Sequence, residues 1–163
     1  MWSTLTPCAS ESIPPPYDEL LVHDRDLTPT LEAWYGGPLE VKVLALAPQG
    51  GWYQRLVVLT TGQGHPVSLG AIRLALSRMS PSVQEDVLAG RVPVGRILLR
   101  HQVPHQSCPR HFFAVPADLR LSQVLACPKG KRLFGRCNVL RLSDGEALAE
   151  VVEVLSPTRG ALG

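Results

Sequence analysis

The chain reads as α+β: one antiparallel sheet of about five or six strands with helices packed on one face. Three observations carry this. Three β-rich runs lie between Leu39 and Leu76, joined by short Gly- and Pro-containing loops. Helix punctuation follows, with Pro81 just after Ser80 and Gly90 at the end of the segment. The chain then closes on two more β-rich runs joined by Asp144-Gly145. Strands, then helices, then strands again belong to the α+β class.

Residues 1–18 are rich in Ser, Thr and Pro and end in Pro14-Pro15-Pro16. They read as a flexible tail or polyproline lead-in. Asp18 to His23 suits a helical turn. Leu31 to Tyr35 reads as a short helix, with Thr28 as N-cap, Pro29 at the first position and Gly36-Gly37-Pro38 as its stop. Leu39–Ala47, Trp52–Thr61 and Val67–Leu76 alternate and are β-branched, as in an antiparallel meander. Gly70 marks a bulge or a close approach.

Ser80 caps a helix that Pro81 opens and Gly90 ends, with Val83, Val87 and Leu88 on one face. Pro93-Val94-Gly95 reads as a tight turn opening a second short helix. His101 to Arg110 reads as a loop, His111 to Val115 as a short strand and Leu119 to Ala126 as a weak helix. Leu133–Leu142 and Ala147–Leu155 form the final hairpin. Asp-Gly favours a type I′ turn, which sets Leu142 opposite Ala147, Arg141 opposite Leu148 and Arg136 opposite Glu153.

The 163 residues suffice for one domain with a real core. We assign residues 19–158 to it, with 159–163 as a C-terminal tail. Charged residues make up 18% and apolar residues 45%, a globular balance. A net charge of +2 without a basic run argues against a nucleic-acid partner. No run approaches the ~20 apolar residues of a membrane span, and no secretory signal is visible. A cytoplasmic protein without membrane insertion is expected. Cys8, Cys108, Cys127 and Cys137 form no C-x-x-C pair and read as reduced thiols.

Four places could carry chemistry. Arg55 shares its strand face with Tyr53, Val57 and Leu59. Buried there, it needs an anion or a carboxylate; parity alone favours an edge arginine whose stem snorkels to water. Glu153 shares a face with Ala147, Ala149, Val151 and Leu155, and Glu150 lies on the other face. For either, a structural ion pair is the default, and Arg136 supplies one for Glu153. Val94 and Gly95 open a helix whose free N–H groups can hold an anion. His101, His105, Cys108 and His111 have ligand types that suit zinc, but Pro104 and Pro109 break their alignment. A solvent-exposed flap without metal is expected there. Walker, dinucleotide and G-x-S-x-G patterns are absent from the sequence.

Trp52-x-x-Arg55, Pro93-Val94-Gly95-Arg96-Ile97-Leu98, Leu133-Phe134-Gly135-Arg136 and Glu153-Val154-Leu155-Ser156-Pro157 occur in that order. With Leu27-Thr28 and Leu31-Glu32 before them, the chain resembles the chorismate pyruvate-lyase family over residues 26–157. The resemblance implies a single six-stranded antiparallel sheet with helices on one face and an internal pocket closed by flaps. It implies conversion of chorismate to 4-hydroxybenzoate and pyruvate without a cofactor, feeding ubiquinone or plastoquinone synthesis, by a monomer. It makes Arg55 and Glu153 catalytic, and Leu27, Arg55, Val94, Gly95, Arg136 and Glu153 substrate-binding. Leu27 stands where the family has a methionine, and Val94 replaces the usual leucine of the turn.

Chorismate carries two carboxylates, so a buried arginine and helix-start amides are the chemistry its binding needs. Aromatisation makes the elimination downhill. The enzyme then has mainly to orient the substrate, exclude water and help the C4 proton leave. The alternative is a non-catalytic module of the same fold that binds an aromatic acid, as in the effector domains of some bacterial transcription regulators. Those domains follow a winged-helix segment, for which residues 1–26 are too few, so the lyase is the expected function.

Overall fold

The computed structural model describes residues 5–49 and 51–157. Seven strands form one antiparallel sheet: β1 (Thr6–Cys8), β2 (Glu40–Gln49), β3 (Trp52–Thr60), β4 (Pro66–Leu74), β5 (Gln106–Pro116), β6 (Arg132–Arg141) and β7 (Ala147–Leu155). Their order across the sheet is β1-β5-β6-β7-β4-β3-β2. The meander β2-β3-β4 and the hairpin β6-β7 thus meet along β4 and β7, with Glu153 on the central strand and Arg55 two strands away on β3. No helix among the described residues is long and apolar enough to cross a membrane.

The seventh strand comes from the segment expected to be a flexible tail. Thr6, Pro7 and Cys8 pair with Ala114, Phe113 and Phe112 of β5. Ile13 then enters the core at 4% exposure. Composition suggested disorder here, but a sheet edge supplies partners that no local pattern reveals. The C-terminal tail, residues 159–163, lies outside the described residues.

Four helices, α1 (Tyr17–Leu21), α2 (Leu27–Tyr35), α3 (Pro81–Ala89) and α4 (Val94–Arg100), cover one face. The fifth, α5 (Leu119–Val124), packs on the reverse face, where Leu121 and Leu125 meet Phe113, Leu133 and Val154. Helices on one face alone is therefore corrected. The two-residue alternation of β5, β6 and β7 leaves apolar side chains on both sides, and each side must be covered. On the main face, α1 and α2 bury Leu20, Leu21 and Leu31 against Leu59, Phe134 and Leu155. Beside them, α3 and α4 bury Val83, Val87, Ile97 and Leu98 against Leu74 and Leu148. A seam runs between these two helix pairs.

Several boundaries differ from expectation for physical reasons. Helix α2 starts at Leu27, not Leu31, and Asp26 rather than Thr28 holds the N-cap position. Pro29 fits the first turn, where its missing N–H would have no acceptor. The expected loop over His101 to Arg110 is half strand, since β5 begins at Gln106. Its Pro109 is tolerated because β1 reaches only Phe112 to Ala114, which leaves Pro109 on an open edge beside a register shift. On α3, Val83 and Val87 are buried as expected, but Leu88 is 53% exposed.

The closing turn is not type I′. Gly145 has φ 85°, whereas Asp144 is absent from the residues with positive φ. Gly145 N donates to Leu142 O and Leu142 N donates to Glu146 O, the pattern of a type I turn followed by a glycine bulge. The bulge places Arg141 opposite Ala147, not Leu148. Beyond it the expected register returns, and Arg136 faces Glu153. Gly70 carries no bulge: it pairs with Val57 and Glu153 in an unbroken ladder.

Candidate functional site

The seam between the two helix pairs holds a cavity of about 70 Å³. Strands supply its floor: Val57 and Leu59 on β3, Ser68, Gly70 and Ile72 on β4, Asn138 and Leu140 on β6, and Val151 on β7. The starts of α2 and α4 supply its roof, through Asp26, Leu27 and Thr28 and through Pro93, Val94 and Gly95. Arg55 and Glu153 both line it. Five of the six residues singled out from sequence, Leu27, Arg55, Val94, Gly95 and Glu153, therefore share one chamber.

Arg136 is not among the lining residues. It is wholly buried and spent on protein groups. Nε donates to Glu153 Oε2 at 3.3 Å, Nη1 to Leu21 O and His23 O, and Nη2 to Arg25 O. It clamps the segment between α1 and α2 onto the sheet and holds Glu153 from behind. The carboxylate ambiguity resolves by face. Glu150 lies on the reverse face, paired with Arg73 at 2.8 Å with both side chains 44% exposed. Burial raises the Glu153 carboxyl above its ordinary value; Arg136 opposes this, and the Asp26 charge reinforces it.

Arg55 does not snorkel. It is 3% exposed. Its Nη1 donates to Val87 O at 3.2 Å, and its Nε has no hydrogen-bond partner in the protein. Among the described residues no carboxylate forms an ion pair with it. Burial pulls its pKa below the ordinary arginine value. A buried guanidinium without a counter-ion is costly, and an anion entering the cavity relieves that cost.

Two more buried atoms without a protein partner, Asp26 Oδ1 and Asn138 Oδ1, belong to residues that line the same cavity. Buried polar groups in folded proteins are almost always paired, so three exceptions on one chamber point to a ligand site. Gly95 lets the roof close. A Cβ there would come within 3.2 Å of Thr28 Oγ1, so the glycine lets α4 approach α2. Arg96 of α4 and Glu32 of α2 then pair across the junction.

The candidate metal ligands disperse. His101 pairs with Asp86, and His105 Nε2 with Asp26 Oδ2 at 2.6 Å. Among the described residues no group of three His, Cys, Asp or Glu side chains is placed to hold a metal. The flap reading is corrected: residues 106–116 are strand, and Ser107 is 6% exposed.

Sequence reading missed Asp26, Thr28, Ser68 and Asn138. Asn138 carried a signal, being polar and two residues beyond Arg136 on the same strand face. Asp26 carried none, because an acid in Asp24-Arg25-Asp26 reads as solvated loop.

The cavity's size bears on its occupant. At about 70 Å³ it is roughly half of the ~150 Å³ engineered chamber that accepts benzene. A cyclic diacid enters only if a wall moves. An outer cleft lined by Asp24, Arg25, Thr30, Trp34 and His105 lies next to it and shares Asp26 with it. The Asp26–His105 pair stands between the two spaces.

No protein-family model and no curated protein matches the sequence. The fold does have similar solved structures. PhnF from Mycobacterium smegmatis superposes with a TM-score of 0.65 at 15% identity, over 85% of this chain and 66% of that one. The isolated effector domain of PhnF gives 0.62 at 16% identity, over 82% of this chain and 90% of that one. A GntR-family transcriptional regulator from Bacillus cereus gives 0.54 at 15% identity, over 73% and 92%. The chain has the fold of these regulator domains. It spans about two thirds of the PhnF chain, 66% of its length.

These neighbours correct two expectations. The expected lyase and its place in quinone synthesis are corrected: the similar solved structures are a transcriptional regulator and an effector domain, not lyases. The expected absence of a nucleic-acid partner is corrected too, because the Bacillus cereus neighbour is a GntR-family transcriptional regulator. Low net charge bears only on direct contact with a phosphate backbone.

Proposed function

We propose that this chain is a non-catalytic ligand-binding module that takes a small organic anion into the cavity between the two helix pairs. One observation carries the reading: Arg55 is buried without a counter-ion, on a chamber where Asp26 and Asn138 also keep unpaired oxygens. Arg55 meets the anion. Leu27, Val57, Leu59 and Val151 supply an apolar wall, and Val94 and Gly95 offer first-turn amides without an intrahelical acceptor. Glu153, held by Arg136, lines the same chamber. Charge is matched at fixed positions and no step of bond breaking is needed.

By analogy with the regulators of the same fold, occupancy biases the segment between α1 and α2 and is read by a nucleic-acid-binding partner. The test is calorimetric titration of the protein with small aromatic and aliphatic carboxylates. Saturable binding that is lost in Arg55→Met is expected. Absence of binding by every acid, or binding that survives Arg55→Met, overturns the reading.

A further inference from the structure

The cavity displays more than an anion site. Asp26, which lines the cavity, spends one carboxylate oxygen on His105, and the other, Oδ1, is buried without a partner. Asn138 is 4% exposed. Its Nδ2 donates to Ser107 Oγ at 2.7 Å, and Ser107 Oγ lies 3.3 Å from Arg25 O. A serine hydroxyl has one proton. With that proton donated to the Arg25 carbonyl, Ser107 can only accept from Asn138. This chain sets the amide orientation and leaves Oδ1 of Asn138, a residue lining the chamber, as an unpaired acceptor.

Among the buried side-chain groups left unpaired, the inventory is therefore one cationic donor, Arg55, and two neutral or anionic acceptors, Asn138 and Asp26. We propose that the ligand is bifunctional: a small acid that also carries an O–H or N–H donor, its anion on Arg55 and its donor on Asp26 and Asn138. This rests on the ligand-binding reading above and narrows it. A plain acid neutralises Arg55 but leaves two buried acceptors unpaired, forgoing roughly tenfold in affinity for each hydrogen bond not made. A diacid is worse. Its second carboxylate brings no donor to Asp26 and Asn138 and adds like charge beside Asp26. A hydroxy or amino acid satisfies all three groups at once. Sites built to hydrogen-bond a substrate hydroxyl reject analogues that lack it far more strongly than sites that only exclude volume.

The test uses the full chain and matched probes. Butanoate is compared with its 2-, 3- and 4-hydroxy derivatives, benzoate with its three monohydroxy isomers, and both with succinate and phthalate. Dissociation constants are read by NMR titration for wild type, Asp26→Ala and Asn138→Ala, each checked for a folded spectrum. At least one hydroxy acid is expected to bind about tenfold or more tighter than its parent. That ratio is expected to fall toward one in each variant. If Asp26→Ala does not fold, Asn138→Ala carries the same readout. Acids that bind through Arg55 with no hydroxyl advantage, an advantage unchanged in the variants, or tightest binding of a diacid overturns this inference and leaves the anion site standing. Failure of every acid to bind wild type overturns both.

Discussion

Arg136 and Glu153 face each other across β6 and β7, and the guanidinium that holds the carboxylate at 3.3 Å also holds three backbone carbonyls of the segment between α1 and α2. One side chain thus joins the sheet, the cavity acid and the roof of the site. Arginine suits this because its planar fork donates in several directions at once. Lysine would reach only part of the set.

Arg136→Ala is expected to destabilise the fold by about 3–5 kcal/mol, because it strands a buried carboxylate and three carbonyls. Arg136→Lys should fall between the two. Urea denaturation followed by circular dichroism gives the midpoints. A loss under about 1 kcal/mol in the alanine variant would show that the clamp is not structural.

Arg55 should behave in the opposite way. Among the described residues its buried charge pairs with no carboxylate. Arg55→Met keeps most of the volume and removes the charge, so the ligand-free protein should gain about 1–3 kcal/mol even as anion binding is lost. Thermal melts of both proteins with no acid added check the sign. A less stable methionine variant would mean that the bond to Val87 O outweighs the desolvation of the charge.

Gly135 makes a steric prediction. A Cβ at this position would lie 2.2 Å from Glu153 O and 2.4 Å from Phe113 Cζ. Both are held in place, the first by the β6-β7 ladder and the second by packing against Leu121 and Leu125. Gly135→Ala should cost about 1–3 kcal/mol or more, measured by chemical denaturation. Phe113→Leu in the same background should recover part of it by making room.

His105 makes a pH prediction. Its ring nitrogens face Asp26 Oδ2 and Val103 O, and the hydrogen bond to Asp26 raises its pKa above the ordinary 6.5 despite burial. A raised histidine stabilises the fold fully below the unfolded value, and the benefit disappears as pH rises through the folded value. The stability gap between wild type and His105→Gln should be widest below about pH 6 and shrink toward alkaline pH. Burial lowers the pKa of His23, an effect of opposite sign, but His23 is common to both proteins and cancels in the difference. A gap that widens with pH would mean that His105 is neutral in the folded state.

What the sequence determined was local or periodic. Alternation located β2, β3 and β4. Pro81 and Gly90 bounded α3, and Asp144-Gly145 located the last hairpin with Arg136 opposite Glu153. The resemblance of four short motifs brought Leu27, Arg55, Val94, Gly95 and Glu153 forward as a set, and they line one cavity. Tertiary structure decided the rest. Residues 6–8 became strand only because β5 offered an edge. Asp26 became a site residue because Arg136 draws its segment over the sheet, and Arg136 became a clamp because that segment's carbonyls reach it first. Pattern along a chain reports which face a side chain takes. Which partner it meets there depends on segments about a hundred residues away, as the 111 to 115 residues between Arg136 and its carbonyls illustrate.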